Sequence, residues 1–434
     1  MTLEERLRLL KGETAPPAPP SDLAARLRRL ASGPSRREAH HRPDEPALAT
    51  AIGGEQLDTG LIRVERKLDL DHWHGGVRLR DALVEVPFLH DGANIEPGKC
   101  LFLDTETSGL AGGTGTWAFL FGAVRLDDGA LIMRQYLLSR LDAEAAYLEA
   151  VERETEQAQV LVSYNGKAFD APLLATRFRL SGVDSSLDAK AHLDLLALVR
   201  RVFGRVWPDC RLVTAERRLL GYARSGDLPG AEAPQAWLAW LRQGDSERLC
   251  GVLAHNRRDL MSLLGLASPL ARSLRDPAAT GAEIGAVARY HLARGDEARA
   301  FALLAANRSL LAPPAFLDLA RLHRGRGEWA AACRIWEALA EQGEAAAIEA
   351  LAKHREHRLR DYGAALDLAR RLPAGPERER RCCRLEARLA VTVRSRSRPR
   401  SVSSATPWST GRREASACGE PGGMVVSDGS RTTQ

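Results

Sequence analysis

The spacing of apolar positions changes several times along the chain, and those changes divide it. Leu61-Ile62-Arg63-Val64-Glu65-Arg66 and Ala82-Leu83-Val84-Glu85-Val86 alternate apolar and charged residues closely enough to predict two strands, with His72-Trp73-His74 as a loop between them. Leu101 to Leu103, Trp117 to Leu126 and Leu131 to Leu138 are apolar runs that predict three further strands. The acidic segment 143–157 suits a helix, and Val160-Leu161-Val162-Ser163-Tyr164 suits a buried strand. Ala171-Pro172 marks a helix start, because proline fits the first helical turn. His192 to Leu196 reads as a strand end running into a helix, and Leu249 to Leu266 as a long helix. Three strands followed by strand–helix alternation predict an α/β fold with a mixed sheet.

After Pro277 the chain turns Ala-, Leu- and Arg-rich and helical. Arg294-Gly295-Asp296-Glu297-Ala298, Arg326-Gly327-Glu328-Trp329-Ala330 and Arg360-Asp361-Tyr362-Gly363-Ala364 recur at steps of 32 and 33 residues. That period is close to the roughly 34 residues of a tetratricopeptide-type helix pair. The alternative is a helical domain without repeats, since the signature aromatics and prolines are mostly missing. Residues 1–46 are Pro-, Arg- and Ala-rich and predict a flexible segment. From Val391 the Arg-Ser-Arg-Ser-Arg-Pro-Arg-Ser stretch and the Ser-, Thr- and Gly-rich remainder cannot build a core; they read as a disordered basic tail or as out-of-frame sequence. The expected layout is thus a flexible segment 1–46, an extension with short strands over 47–98, a catalytic α/β domain over 99–272, a helical repeat-like domain over 276–372 and a basic, disordered tail over 373–434.

Charge adds little to this picture. The chain carries a net +6 among 434 residues, but Cys100 to Arg275 holds equal numbers of acids and bases. A local run of Arg200, Arg201, Arg205, Arg211, Arg217, Arg218 and Arg224 is either a phosphate-tracking stripe or a solvated surface. No apolar run approaches membrane-span length, the first residues are too charged for a secretory signal, and the seven cysteines form no Cys-x-x-Cys pair. A cytoplasmic protein without membrane association is the expectation.

The chemistry concentrates in acids. Asp104 and Glu106 end the first core strand, and residues i and i+2 of a strand share a face. Two carboxylates so close repel unless a cation or proton lies between them, and oxygen-rich sites suit magnesium or manganese. Asp170 falls at a strand-to-helix junction, where it is either a functional acid or a helix cap. His255 and Asp259 stand four apart on one face of a helix. Asp194 lies in an apolar segment between these groups. The glycine-rich loop Gly109 to Gly115 lacks the Gly-Lys-Ser/Thr ending of a nucleotide cradle and reads as a hairpin connection. Trp117 and Phe119 could stack a base, but strand positions favour the core.

The order Leu-Phe-Leu-Asp-Thr-Glu-Thr, Tyr-Asn-Gly-Lys-Ala-Phe-Asp, His-Leu-Asp-Leu-Leu, Pro-Asp-Cys-Arg-Leu, Gly-Asp-Leu-Pro-Gly and His-Asn-Arg-Arg-Asp resembles the DEDD-type 3′–5′ exonucleases of the ribonuclease-H-like superfamily. It is closer still to the YprB-like ribonuclease-H-like family, over roughly residues 60 to 272. The resemblance implies a ribonuclease-H-like sheet flanked by helices. It implies hydrolysis of DNA or RNA by two divalent cations, Mg2+ or Mn2+, held by Asp104, Glu106, Asp170 and Asp259. His255 is the candidate general base. Its spacing of four from Asp259 is that of the Tyr subclass, whereas the His subclass uses five, so His255 stands where a Tyr is expected. Asn165, Lys167 and Asn256 are candidate substrate contacts, with Asn165 alternatively closing a turn, and Asp194 either supports the site or touches metal. The competing reading is a nuclease-like domain that no longer turns over, binding nucleic acid or scaffolding a protein partner through the helical repeats.

Overall fold

The computed structural model describes residues 43–90, 95–109 and 115–396. The flexible segment expected over 1–46 falls almost entirely outside these residues, as do the middle of the glycine-rich loop and the chain beyond 396.

Seven strands form one sheet: β1 (Glu55–Asp58), β2 (Leu61–Leu68), β5 (Cys100–Thr107), β6 (Ala118–Asp127), β7 (Ala130–Leu138), β8 (Val160–Ser163) and β9 (Ala191–Asp194). Their spatial order is β1-β2-β7-β6-β5-β8-β9. A separate two-stranded hairpin pairs β3 (Trp73–His74) with β4 (Val77–Arg78). β5, β8 and β9 run parallel, while β1, β2, β7, β6 and β5 pair antiparallel in succession. A mixed sheet with helices on it is the expected architecture. The short-strand extension turns out to be part of it, because β2 pairs with β7 from Leu61 opposite Leu138 to Leu68 opposite Leu131.

The strand expected at Ala82 to Val86 is instead helical, with α1 (Leu79–Leu83) followed by α2 (Val86–Leu89). The reason is legible in the burial: Leu79, Ala82, Leu83, Val86 and Leu89 are all buried, a spacing of three and four that belongs to a helix face. His74, read as part of a loop, ends β3 and is buried, its Nε2 2.8 Å from Ser262 Oγ. Burial lowers His74 to about 4, so it sits in the core as a neutral ring.

One long helix lies across the sheet. The helix α3 (Ser246–Arg275) starts on a cap in which Asp245 accepts from the Glu247 N–H at 3.2 Å, and it runs for 30 residues. Its first turns bury Leu249, Val252 and Leu253 in a core shared with Ile62, Val64, Leu120 and Leu137. Its later turns bury Leu260, Leu263, Leu264 and Leu266 against Phe102, Val124 and Met133. The alternation of β5, β6 and β7 puts all of these strand residues on one face, so α3 lies along that face. Gly122 of β6 makes the approach feasible. A Cβ there would lie 2.2 Å from Asn256 Oδ1 and 2.7 Å from Leu260 Cδ1.

Among the described residues the first compact unit ends at Ile335, and a second begins at Trp336. The boundary expected near residue 276 therefore moves. Val287, Tyr290 and Leu303 belong to the same apolar cluster as Phe102 and Leu263, and the Tyr290 hydroxyl donates to the Leu89 carbonyl at 3.2 Å. The three recurrent Arg-containing segments are the turns between successive helices, and each holds a left-handed residue: Gly295 (φ 78°), Gly327 (φ 78°) and Arg360 (φ 54°). In the second unit Pro376–Arg396 is a helix, so the tail expected from 373 cannot begin there. Leu385 is buried with Ala365, Leu366 and Ala369, and Arg384 grips the buried Glu356 with two bonds of 3.0 Å. Among the described residues no helix is long and apolar enough to cross a membrane.

Replacing Gly122 with Ala should destabilise the first unit by about 1–3 kcal/mol, the usual cost of overpacking a filled core. Urea denaturation measures this directly; an unchanged midpoint would mean that α3 does not lie this close to β6.

Candidate active site

Asp104, Gly122 and Gln135 stand opposite one another on β5, β6 and β7 and form a row across the helix-covered face. Asn256 sits on that row. Its Nδ2 donates to Asp104 Oδ2 at 2.8 Å and to the Asp104 carbonyl at 3.2 Å, and its Oδ1 accepts from Gln135 Nε2 at 2.8 Å. Gln135 also donates to the Leu253 carbonyl at 2.9 Å, which ties the helix to the sheet. Asn256 is thus fully buried and engaged. It fixes the rotamer of Asp104 and cannot act as the substrate contact that the sequence suggested.

One strand residue beyond Thr105, Glu106 shares this face with Asp104. His255 and Asp259 descend toward it from α3. His255 Nε2 lies 4.0 Å from Glu106 Oε1 and 3.6 Å from Asp259 Oδ2. The i, i+4 reading of the helix is therefore met, and the strand and helix acids come together.

Asp170 arrives by another route. The loop after β8 passes through Asn165 at φ 72°, a left-handed conformation that Asn tolerates better than most residues. Asp194 holds the loop in place. Its Oδ1 accepts the Asn165 N–H at 2.8 Å and the Leu196 N–H at 3.0 Å, and its Oδ2 accepts the Lys167 N–H at 3.3 Å. Asp194 accordingly caps the helix Leu195–Phe203 and ties it to the loop. Gly166 leaves room for the Asp170 carboxylate, since a Cβ at 166 would lie 2.8 Å from Asp170 Oδ2. Asp170 is the first residue of the helix Asp170–Ser181 and accepts a hydrogen bond from the Thr105 hydroxyl. Lys167 is exposed, and Asn165 is half-buried with its backbone N–H committed to Asp194.

The four acids feel one another. Burial raises Asp104 well above the carboxylate range, and Asp259, Glu106 and Asp170 push it further; only the Asn256 bond opposes this. Burial likewise raises Glu106, with Asp259 and Asp170 adding to it. Burial pushes Asp170 up to about 6 against the pull of the Thr105 bond. Asp259 is raised by burial although His255 and Arg224 both favour its charged form.

Sequence reasoning missed the groups that answer this repulsion. Arg224, read as part of an arginine stripe, is turned inward with its side chain 8% exposed. It donates to Asp259 Oδ1 at 2.5 Å, to both oxygens of the fully buried Glu216 at 2.6 and 2.8 Å, and to Asp227 Oδ2 at 2.8 Å. The other six arginines of the run are exposed, and Arg205 and Arg211 pair with Glu283 and Asp209. Asp227, in the Gly-Asp-Leu-Pro-Gly segment, accepts from Arg224, from Arg258 Nη1 at 2.8 Å and from His255 Nδ1 at 2.9 Å. Burial pushes Asp227 upward, but Arg224, His255 and Arg258 together bring it below its ordinary value. The only available signal was the motif itself, whose acid had no assigned task.

Neither aromatic of the loop flank is free for a base. Phe119 is buried and stacked on Trp237 with centroids 4.9 Å apart, while Trp117 is half-buried under the Arg177 guanidinium, 4.0 Å from the ring.

With this geometry in view, comparison with known proteins is informative. Residues 101–271 match the family model described as the RNase_H superfamily. The chain is also 31% identical over 283 residues to the uncharacterized protein YprB of Bacillus subtilis (strain 168), covering 62% of this chain and 67% of that protein. The chain belongs to the RNase_H superfamily. Membership in this superfamily points to a hydrolase acting on nucleic acid and to a divalent-metal requirement.

The donor set fits such a cation. It is all oxygen from acids, as hard divalent ions prefer, and the mutual repulsion is what a positive charge would relieve. Arg224 already places a cationic group on Asp259. Among the described residues no three His, Cys, Asp or Glu side chains converge as a finished cage, consistent with Asp170 being turned to Thr105 and Asp259 to Arg224.

Because Asp170 titrates near 6 in the fold against 3.8 unfolded, its ionisation destabilises the metal-free protein as pH rises through that interval. Asp170→Asn should therefore raise stability by about 1–3 kcal/mol at pH 8 in chelator and change it little at pH 4. Chemical denaturation at the two pH values measures the difference; an equal effect at both would contradict the raised value.

Proposed function

We propose that this protein is a metal-dependent nuclease, a DEDD-type 3′–5′ exonuclease on DNA or RNA that works by a two-metal mechanism. Asp104, Glu106, Asp170 and Asp259 would hold two divalent cations, Mg2+ or Mn2+. The observation that carries the reading is the gathering of these four acids, from a strand, a loop-to-helix junction and a long helix, at one end of the sheet. When bound, the cations supply charge neutralisation of the phosphate, a more acidic attacking water and stabilisation of the leaving oxygen.

The chain's own residues supply the rest. Asn256 and Thr105 fix Asp104 and Asp170, so the acids are held before substrate arrives. His255 serves as general base. Asp227 accepts from Nδ1–H, which leaves the Nε2 lone pair facing Glu106 and Asp259. That arrangement supports a base at a position where the spacing suggested a Tyr. Lys167, exposed at the loop, and Asn165 are the proposed substrate contacts.

The bond from Arg224 to Asp259 favours one other reading. In it the domain binds strands without turnover and the helices after Pro277 carry a tetratricopeptide-like surface for a protein partner in the cytoplasm.

Labelled single- and double-stranded DNA and RNA, incubated with each metal, decide between the two. The nuclease reading predicts stepwise release of nucleotides and a loss of roughly 10²–10³-fold in Asp104→Asn. Asp227→Asn should retain metal binding and lose about 10-fold in kcat, with a shifted acid limb of the pH profile. Metal-independent cleavage, or full activity in Asp104→Asn, would sink the assignment.

A further inference from the structure

A second cluster of charge lies on the other side of Arg258 from the carboxylates. Arg66, His72, Tyr222, Arg257 and Arg258 line a cavity of about 640 Å³ between the β2 strand and α3. Arg66 faces α3 because it shares the strand face of Val64 and Leu68. Among the described residues its guanidinium reaches the Ile52 carbonyl, at 3.2 Å, and no acid. Among the described residues no acid pairs with Arg257. Glu65, which also borders the cavity, is held by Arg134 Nε at 2.7 Å. Arg257 is half-buried and Arg66 is exposed, whereas the inward-turned Arg134, Arg177 and Arg224 are each answered by an acid, Glu65, Glu144 and Glu216. An open cavity bordered by two guanidinium groups that no acid among the described residues answers suits an anion with several acceptor oxygens.

We infer that this cavity is a phosphate-binding subsite, and that the phosphate it takes belongs to the backbone of the strand whose reacting bond lies at the carboxylates. The second half of the inference rests on the nuclease reading. The geometry that links the two is Arg258. It borders the cavity and donates to Asp227 Oδ1 at 2.8 Å, and the other oxygen of Asp227 holds His255. A strand seated on Arg66 and Arg257 is therefore separated from the general base by one layer of side chains. The subsite would read phosphate and not base, since arginines and a tyrosine offer no base-specific pattern in this arrangement.

The test is fluorescence anisotropy of a labelled single-stranded oligonucleotide in chelator, so that no cleavage intervenes, across a salt series. Arg257→Gln and Arg66→Gln should each weaken binding several-fold and reduce the slope of log K against log salt by about 0.7, the value for one lost single-strand phosphate contact. Arg257→Lys should recover most of the slope. Hydrolysis of bis(4-nitrophenyl) phosphate with Mn2+, a substrate too small to span both places, should be unchanged in the Gln variants, which also shows that they fold. Unchanged affinity for both the oligonucleotide and inorganic phosphate in both variants would overturn the subsite. If the variants lose affinity for inorganic phosphate but not for the oligonucleotide, the cavity takes a free anion and the strand assignment falls. Failure of the wild type to hydrolyse the small ester would count against the nuclease reading alone, because the anisotropy arm needs no turnover.

Discussion

Repulsion among four carboxylates, packed where water screens them poorly, is the constraint on which the rest of this molecule depends. At the separations of a packed protein interior, like charges cost far more than they do in water. Asp104, Glu106 and Asp170 respond by rising toward neutrality, and Asp259 does so despite the Arg224 guanidinium bonded to it. Such a cluster is not a product of stability. The fold holds it by dedicated contacts: Asn256 on Asp104, Thr105 on Asp170, Arg224 on Asp259.

Those contacts in turn dictate architecture. Asn256 reaches Asp104 only because α3 lies directly on the sheet, and α3 can lie there only because Gly122 has no side chain. Gln135 anchors both the helix carbonyl of Leu253 and the Asn256 amide from the neighbouring strand. On the far side, Asp194 shapes the loop that delivers Asp170. A buried ionic layer of Arg224, Glu216 and Asp227 then links the helix acids to the core behind them, with Ser262 donating to Glu216 and His74 bonded to Ser262. The site is thus assembled from rigid elements and one capped loop, which suits preorganised electrostatic chemistry.

Much of this was legible in the chain. The strand period placed Asp104 and Glu106 side by side, and the helix period placed His255 beside Asp259. The core strands could be read from apolar runs because they are buried on both faces, which makes period and length agree. Residues 82–86 were misread because so short an apolar stretch around a single charge, Glu85, satisfies the strand pattern and the helix pattern at once, and only packing against α3 decides. The role of Asn256 was invisible for a different reason. Whether an amide beside a catalytic pair faces substrate or sheet depends on helix rotation, which needs Gly122 and Gln135 in register. Arg224 and Asp227 were missed because ion pairs between distant segments leave no periodic trace. An arginine that neutralises a buried acid looks, in sequence, like any member of a basic run. The helices after Pro277 were foreseen, but that the first of them belong to the first unit depends on tertiary contacts such as Tyr290 with Leu89.

The four raised carboxylates are expected to act together as the cation-binding site. Titration calorimetry with Mn2+ near pH 6, repeated in buffers of different ionisation heat, tests it most directly. Binding to acids that are partly protonated must expel protons, so the observed heat should vary with the buffer. Saturable binding accompanied by proton release is expected, with binding lost in Asp104→Asn. Binding without proton release, or none below millimolar metal, would contradict it.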